Sequence, residues 1–324
     1  MRSMMKRLLV TLLAAAVPAL AAAQTYPDKD KPIRIVVPFA PGGAPDVLGR
    51  LVAQGLGDTW RHTVVVENKT GAAGNIGVDL VARSASDGYT LAVVPVGNIV
   101  VNPVLFPNLS YKASDLAPIV LLATAENVLV VNAGVPVRTL KDLIALARQK
   151  PDLPSFASPG AGSQAHLAGE LLQHDGGIRL LHVPYKGVSL ALNDVVGGQV
   201  TMMFSQLSAA LPFIRSGQLR AIGLASAKRS PLMPDLPTIA EQGVAKFEAV
   251  SWYALMAPAN TPKAVIDKLN AETSRLLAKP DTKARLAALG MEAGGGQPAE
   301  LATRIQTESV RWADLIKKQN IKPE

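Results

Sequence analysis

The 324-residue chain contains no cysteine. Disulfides, thiol nucleophiles and thiolate metal sites are excluded by that alone, and so is lipid attachment behind an export signal. Aromatic residues are scarce, at 4%. The basic residues are scattered apart from short pairs such as Lys228-Arg229 and Lys317-Lys318. No basic stripe interleaves with aromatics, so a nucleic-acid partner is not expected. Beyond Gln24 no apolar run reaches the roughly 20 residues of a membrane-spanning helix. Several chemical signatures are missing as well. There is no H-E-x-x-H and no G-x-x-x-x-G-K-[ST], and GAAGNIG (71–77) lacks the dinucleotide fingerprint. Ser158 and Ser163, in SPGAGS, do not sit in a nucleophile elbow. His62, His166 and His182 show no metal-ligand spacing. No metal, no cofactor and no catalysis is expected, and a hydrolase built on one of these serines is the remaining enzymatic reading.

What is present begins with an export signal. Arg2, Lys6 and Arg7 precede an apolar core from Leu8 to Leu20, and Ala21-Ala22-Ala23 stand before Gln24. That is the layout of a cleaved signal peptide over residues 1–23. The core is short for an anchor and Pro18 interrupts it. The expected product is a soluble periplasmic protein, cut near Ala23/Gln24. Three cations leave with the signal and no acid does, so the formal net charge falls from +8 to +5. The roughly 300 remaining residues exceed one typical core and suggest two domains.

The chain is organised around Ile33–Leu56. A buried strand (Ile33–Val37) enters a Pro/Gly turn (38–45) and then a helix (Asp46–Leu56). Gly42 and Gly43 let the backbone turn sharply, and Pro45 suits a first helical turn. Such a turn aims backbone N–H groups and the positive end of a helix dipole at one point, which makes an anion site. The same device recurs at NKTGAAGNIG (68–77), at ASPGAGSQAHLAGELL (157–172) and at HVPYKGVSL (182–190). Four such turns, almost without Lys or Arg, point to a small anion held by main-chain donors. An ordinary strand–helix loop is the competing reading for any one of them.

Strands and helices alternate along both halves. Strands are predicted at Ile33–Val37, Thr63–Val66, Thr90–Val94, Ala117–Leu122, Val128–Val131, Ser155–Phe156, Arg179–Val183, Val200–Phe204, Leu219–Ala225 and Ala249–Met256. Late helices are predicted at Pro262–Leu277, Asp281–Leu289 and Pro298–Lys318. The alternation argues for parallel strands covered on both faces.

PFAPGGAPDVLGR (38–50), ENKTGAAGNIG (67–77), ASPGAGSQAHLAGELL, HVPYKG (182–187), GGQVTMMF (197–204), LPTIAEQG (236–243) and WYALMAPANTP (252–262), in this order, resemble the tripartite tricarboxylate transporter receptors, the Bug-type extracytoplasmic solute receptors. The resemblance covers essentially the whole mature chain. It implies an α/β protein with the type II periplasmic binding protein fold: two Rossmann-like lobes joined by a two-segment hinge, with the ligand cleft between them. The first lobe would comprise residues 26–124 and 253–324, and the second 125–252. The resemblance also implies a small carboxylate ligand, delivery to a membrane permease, and a monomer. A sensor protein reporting the ligand to a membrane kinase would use the same pocket.

The resemblance places the site at Phe39, Ala40, Gly42, Gly43 and Asp46 in the first turn, and at Ala72, Ala73, Gly74 and Asn75 in the second. It adds Ser158, Gly160, Gly162, Ser163 and His166 from the third turn, and Pro184, Tyr185, Lys186 and Gly187 from the fourth. Two positions depart from the family pattern. Pro45 replaces a Thr or Ser, and Ser205 stands where Asp is common. Each side chain also has a plainer reading. Asp46 can serve the helix dipole, worth about 0.3–1 kcal/mol. His166 can be a satisfied structural histidine, Tyr185 and Phe39 packing, and Lys186 a solvated charge.

Overall fold

The computed structural model describes residues 26–150 and 154–322; the expected signal peptide, 1–23, lies outside the described residues. In the first part of the chain β1 (Ile33–Val37), α1 (Ala44–Trp60), β2 (Val64–Asn68), α2 (Asn75–Ala82) and β3 (Thr90–Pro95) are followed by a π-helical turn (Gly97–Val101) and a short α3 (Asn102–Leu105). Then come β4 (Leu116–Ala125), β5 (Asn127–Asn132), α4 (Leu140–Gln149), β6 (Ser155–Ser158), α5 (Gln164–Gly176), β7 (Leu181–Pro184), α6 (Val188–Val196), β8 (Met202–Gln206), α7 (Leu207–Arg215) and β9 (Leu219–Leu224). The last part holds β10 (Ser251–Pro258), α8 (Lys263–Ala278), α9 (Pro280–Ala288), β11 (Met291–Gly295) and α10 (Pro298–Gln319).

The apolar runs form strands buried on both faces. Ile33 and Ile35 of β1 join one core cluster with Leu91 and Val93 of β3, while Val36, Ala92 and Val94 join another. This is the two-residue period of a strand. Leu48, Val52 and Leu56 of α1 cover the first face, and Val78 and Val81 of α2 cover the second. β5 behaves alike, with Val128 and Val130 on one side and Leu129 and Val131 on the other.

Two sheets result. One has the order β11-β4-β10-β3-β1-β2, the other β7-β6-β8-β5-β9. The expected parallel pairing holds for β1 with β2 and β3 and for β6 with β7 and β8, but not throughout. β10 runs antiparallel between β3 and β4, β11 pairs antiparallel with β4, and β5 runs antiparallel between β8 and β9. The reason is topological. The parallel strands point their carboxyl ends toward the space between the sheets. A chain that leaves one sheet there must enter the other from that side, running away from it. β4 ends at Ala125 and β5 begins at Asn127, so β5 has no room to turn round. β10 makes the return crossing. The pattern of apolar residues carries no information about this reversal.

One apolar cluster is shared by both sheets. It joins Val36, Val94 and Trp252 to Leu129, Phe156 and Phe204. α10 closes it with Leu301, Trp312, Leu315 and Ile316, packing on β4, on the 97–101 turn and on α5. Pro298 and a capping box, in which the Gln297 N–H donates to the Glu300 carboxylate at 2.9 Å, start this helix.

Candidate ligand-binding cleft

A cleft of about 1240 Å³ opens between the two sheets. All four glycine turns meet there. Gly43, Ala44 and Pro45 bring the start of α1, and Ala72, Ala73 and Asn75 the start of α2. Gly162, Ser163 and Gln164 bring the start of α5, and Tyr185, Lys186 and Val188 that of α6. Four helix N-termini therefore face one space. Three of them, on α1, α2 and α6, have no side-chain cap on their first N–H groups. Ala72 and Ala73 both adopt left-handed backbone angles (φ 46° and 52°), which turn successive N–H groups inward. Asp79 and Lys186 are the charged residues among those lining the cleft, and Asp79 is paired with Arg83 at 2.9 Å. The field in the cleft is thus set by peptide dipoles and one ammonium group, and it favours an anion.

Ten of the expected site residues reach the cleft wall: Phe39, Gly43, Ala72, Ala73, Asn75, Gly160, Gly162, Ser163, Tyr185 and Lys186. Ala40, Gly42, Asp46, Gly74, Ser158, His166, Pro184, Gly187 and Ser205 are not among the lining residues. Asp46 is buried and serves the turn. Its carboxylate accepts from the Gly42 N–H (3.0 Å), Arg50 Nε (3.0 Å) and Asn68 Nδ2 (3.0 Å). The Arg50 guanidinium and these amide donors hold its carboxyl down to about 2. The Gly42 N–H is therefore spent on Asp46. Gly74, at φ +88°, lies under Phe39, whose ring atom would stand 2.8 Å from any Cβ placed there. Ser205 is buried in β8 and donates to the carbonyl of Gln206; the neighbouring Gln206 lines the cleft. Strand alternation explains the exchange.

The third turn is braced from behind. The Ser158 hydroxyl donates to the Gly160 carbonyl (3.1 Å), accepts the Gly160 N–H (3.2 Å) and sits 2.7 Å from His182 Nε2. Ser163 caps α5 by accepting the His166 N–H at 3.3 Å. In the fourth turn the Tyr185 hydroxyl donates to Asp194 at 2.6 Å. Burial first, then the Asp194 carboxylate, push that phenol up to about 12. The Ser158–His182 pair has the atoms of a nucleophile and base, but Ser158 is fully buried and off the cleft.

Sequence reasoning missed three parts of the wall. The segment after β3 contributes Gly97, Asn98 and Asn102. Asn75 Oδ1 accepts from Asn98 Nδ2 (3.0 Å), Asn102 Nδ2 (2.6 Å) and the Tyr111 hydroxyl (3.0 Å), which ties this segment to the second turn. Two asparagines four residues apart in the apolar run GNIVVNPVL were the available signal, since that spacing shares a helix face. The end of β8 adds Gln206, which donates to the Tyr253 hydroxyl at 2.7 Å, and the return crossing adds Trp252, whose indole N–H donates to Glu308 at 2.9 Å. Phe106, Pro107 and Leu109 complete an apolar lip.

A two-lobed α/β molecule with uncapped helix starts facing an interlobe cleft defines a solute-binding protein of the periplasmic type. The chain belongs to the tripartite tricarboxylate transporter receptor family (TctC), which its residues 48–321 match. It is 37% identical over 315 residues to the protein BugT of Bordetella pertussis, covering 97% of this chain and 96% of that one. An R. palustris protein solved with adipate shares the fold at a TM-score of 0.82 and 33% identity, over 92% of this chain and 100% of its own. MatC from Rhodopseudomonas palustris with bound malate superposes at 0.76 with 32% identity, over 88% and 99%.

Proposed function

We propose that this chain is exported by cleavage near Ala23/Gln24 and works in the periplasm as a monomeric receptor. It captures a small carboxylate and delivers it to the membrane permease of a tripartite tricarboxylate-type transporter. The lobes are residues 26–124 with 253–324, and 125–252. They close over the ligand about the crossings near 124–128 and 249–254. The observation that carries this reading is the convergence of four helix N-termini, three of them uncapped, on one cleft with a single lysine. The carboxylates bound by the two R. palustris relatives support it. Binding without turnover is the reading that fits a Ser158 buried behind the wall.

Energetics are compatible. A hydrogen bond to a charged group contributes roughly 1.5–3 kcal/mol net, and micromolar affinity corresponds to about 8 kcal/mol. Four or five main-chain donors suffice, less the cost of capture and closure. A thermal-shift screen of mono-, di- and tricarboxylates, followed by calorimetric titration of Gly43→Val and Lys186→Ala, tests the mechanism. Gly43 has an ordinary negative φ and a Cβ there would make only ordinary van der Waals contacts, with Pro45 Cδ at 3.7 Å and the Ala40 carbonyl oxygen at 3.9 Å, so its valine variant is expected to fold. It should lose more affinity than the lysine variant. Abolition of binding in Lys186→Ala, with normal binding in Gly43→Val, would replace the main-chain cradle by a lysine ion pair.

A further inference from the structure

Behind the third turn lies a histidine pair that does not reach the cleft. The His166 and His182 rings stack 3.9 Å apart at 6°, and the Phe156 ring lies against both, 4.8 Å from His182 and 6.2 Å from His166. His166 Nδ1 accepts the Gly162 N–H at 3.1 Å. With the Ser163 cap, this is a capping box in which an imidazole nitrogen takes the place of a carboxylate and reaches one residue further back. Nδ1 accepts only when it carries no proton, which places the ring hydrogen on Nε2, the atom 3.6 Å from Glu170. His182 meets the same turn through Ser158, whose hydroxyl holds the Gly160 N–H. Gly162 in turn abuts the opposite sheet's segment: a Cβ there would lie 2.7 Å from Leu105 Cδ2 and 3.4 Å from Asn102 Oδ1. The turn that faces the ligand, and its contact across the cleft, are thus set by two imidazoles.

A proton on His166 Nδ1 would face the Gly162 N–H, donor against donor. It would also set a positive charge against the His182 ring and near the positive end of α5. Glu170 is the acid facing the pair on α5. β6, β8 and the 97–105 segment bring no charged side chain, and β7 brings only His182. On α10, Arg304 and Glu308 close on each other at 2.8 Å. Burial, aided by the neighbouring imidazole, holds His182 down to about 3, so it stays neutral and does not share the proton.

We infer that His166 is a positioning residue: as the neutral Nε2–H tautomer it holds the third turn in its ligand-ready form, and acidification releases that turn and lowers affinity. The effect on affinity rests on the cleft being the carboxylate site; the release of the turn does not.

Nitrogen-15 NMR of the histidine rings and amide exchange at Gly162, on the ligand-free protein from about pH 8 to about pH 5, test the release directly. The expected result is an Nε2–H tautomer at high pH. Once intrinsic exchange is corrected for, protection of Gly162 should fall roughly tenfold or more across that range. His166→Asn, whose side-chain oxygen accepts without titrating, should keep Gly162 protected throughout. His166→Leu should leave it unprotected throughout. An Nδ1–H tautomer, or a Gly162 amide indifferent to the charge on His166, would overturn the inference. Calorimetric titration with malate at about pH 8 and about pH 6 adds the affinity. A wild-type affinity that falls with pH supports the coupling, and one unchanged while Gly162 loses protection overturns it. If malate fails to bind at either pH, that counts against the ligand reading alone, and the exchange profile still decides the role of His166.

Discussion

Asn75 is the residue on which the second turn depends. Its Oδ1 accepts three hydrogen bonds inside the protein, from Asn98, Asn102 and Tyr111, and all four residues are buried. Truncation orphans several donors at once. Each buried, unsatisfied group costs about 1–3 kcal/mol, so Asn75→Ala should lower stability by roughly 2–4 kcal/mol in urea unfolding. His182 contributes a pH dependence of stability. Burial holds its folded value down to about 3, below the ordinary histidine value of about 6.5. Between those values the unfolded chain binds the extra proton, so stability is fully present above 6.5 and is lost as pH falls toward 3. Thermal melts at neutral pH and near pH 5 should show a larger drop for wild type than for His182→Asn. Equal drops would show that the acid sensitivity in this window does not come from His182; Asp46, whose carboxyl is held down to about 2, keeps its contribution at pH 5.

α5 illustrates what an element requires. It approaches β6 so closely that a Cβ on Gly169 would overlap the Phe156 ring. Gly169→Ala should therefore overpack the shared core and cost about 1–3 kcal/mol. It should also weaken binding, because Phe156 backs the histidine stack; circular dichroism melts and calorimetry on one preparation check both. The start of α5 was legible in the sequence, since glycines, Ser163 and an apolar helical face are local signals. So were the turns at 38–45 and 68–77. The reversal of β5 and β10 was not legible, because direction within a sheet is fixed by where the chain comes from. α7 was hidden by Pro212 inside it, and β11 by its glycines. Asp46 and His166 were found as important positions, but their side chains act on the turn. Whether a polar group faces a ligand or the loop that faces the ligand is decided by packing beyond the reach of local spacing. The Asn75 cluster draws on three separate segments and became visible only in the fold.

At the scale of the whole molecule, the two sheets differ in how their strands are spread along the chain. The second sheet is contiguous: β5 to β9 lie within residues 127–224. The first begins at Ile33 but needs β10, which sits between β3 and β4, and β11, which ends at Gly295. An order of assembly follows. Residues 127–224 hold every strand of their sheet long before β1 and β3 can meet the strand that joins them to β4. Loop closure over about 160 residues, from Pro95 to Tyr253, makes the first sheet the slow one, since non-local pairing bears its entropy cost before any contact repays it. In pulse-labelled hydrogen exchange during refolding, amides of β5, β6 and β8 should gain protection before those of β3 and β10. Simultaneous protection of both sets would show that α10 locks the halves in a single step. A chain whose amino-terminal half cannot finish folding until its carboxyl-terminal quarter is available remains threadable for most of its synthesis, a property that would serve the export proposed above.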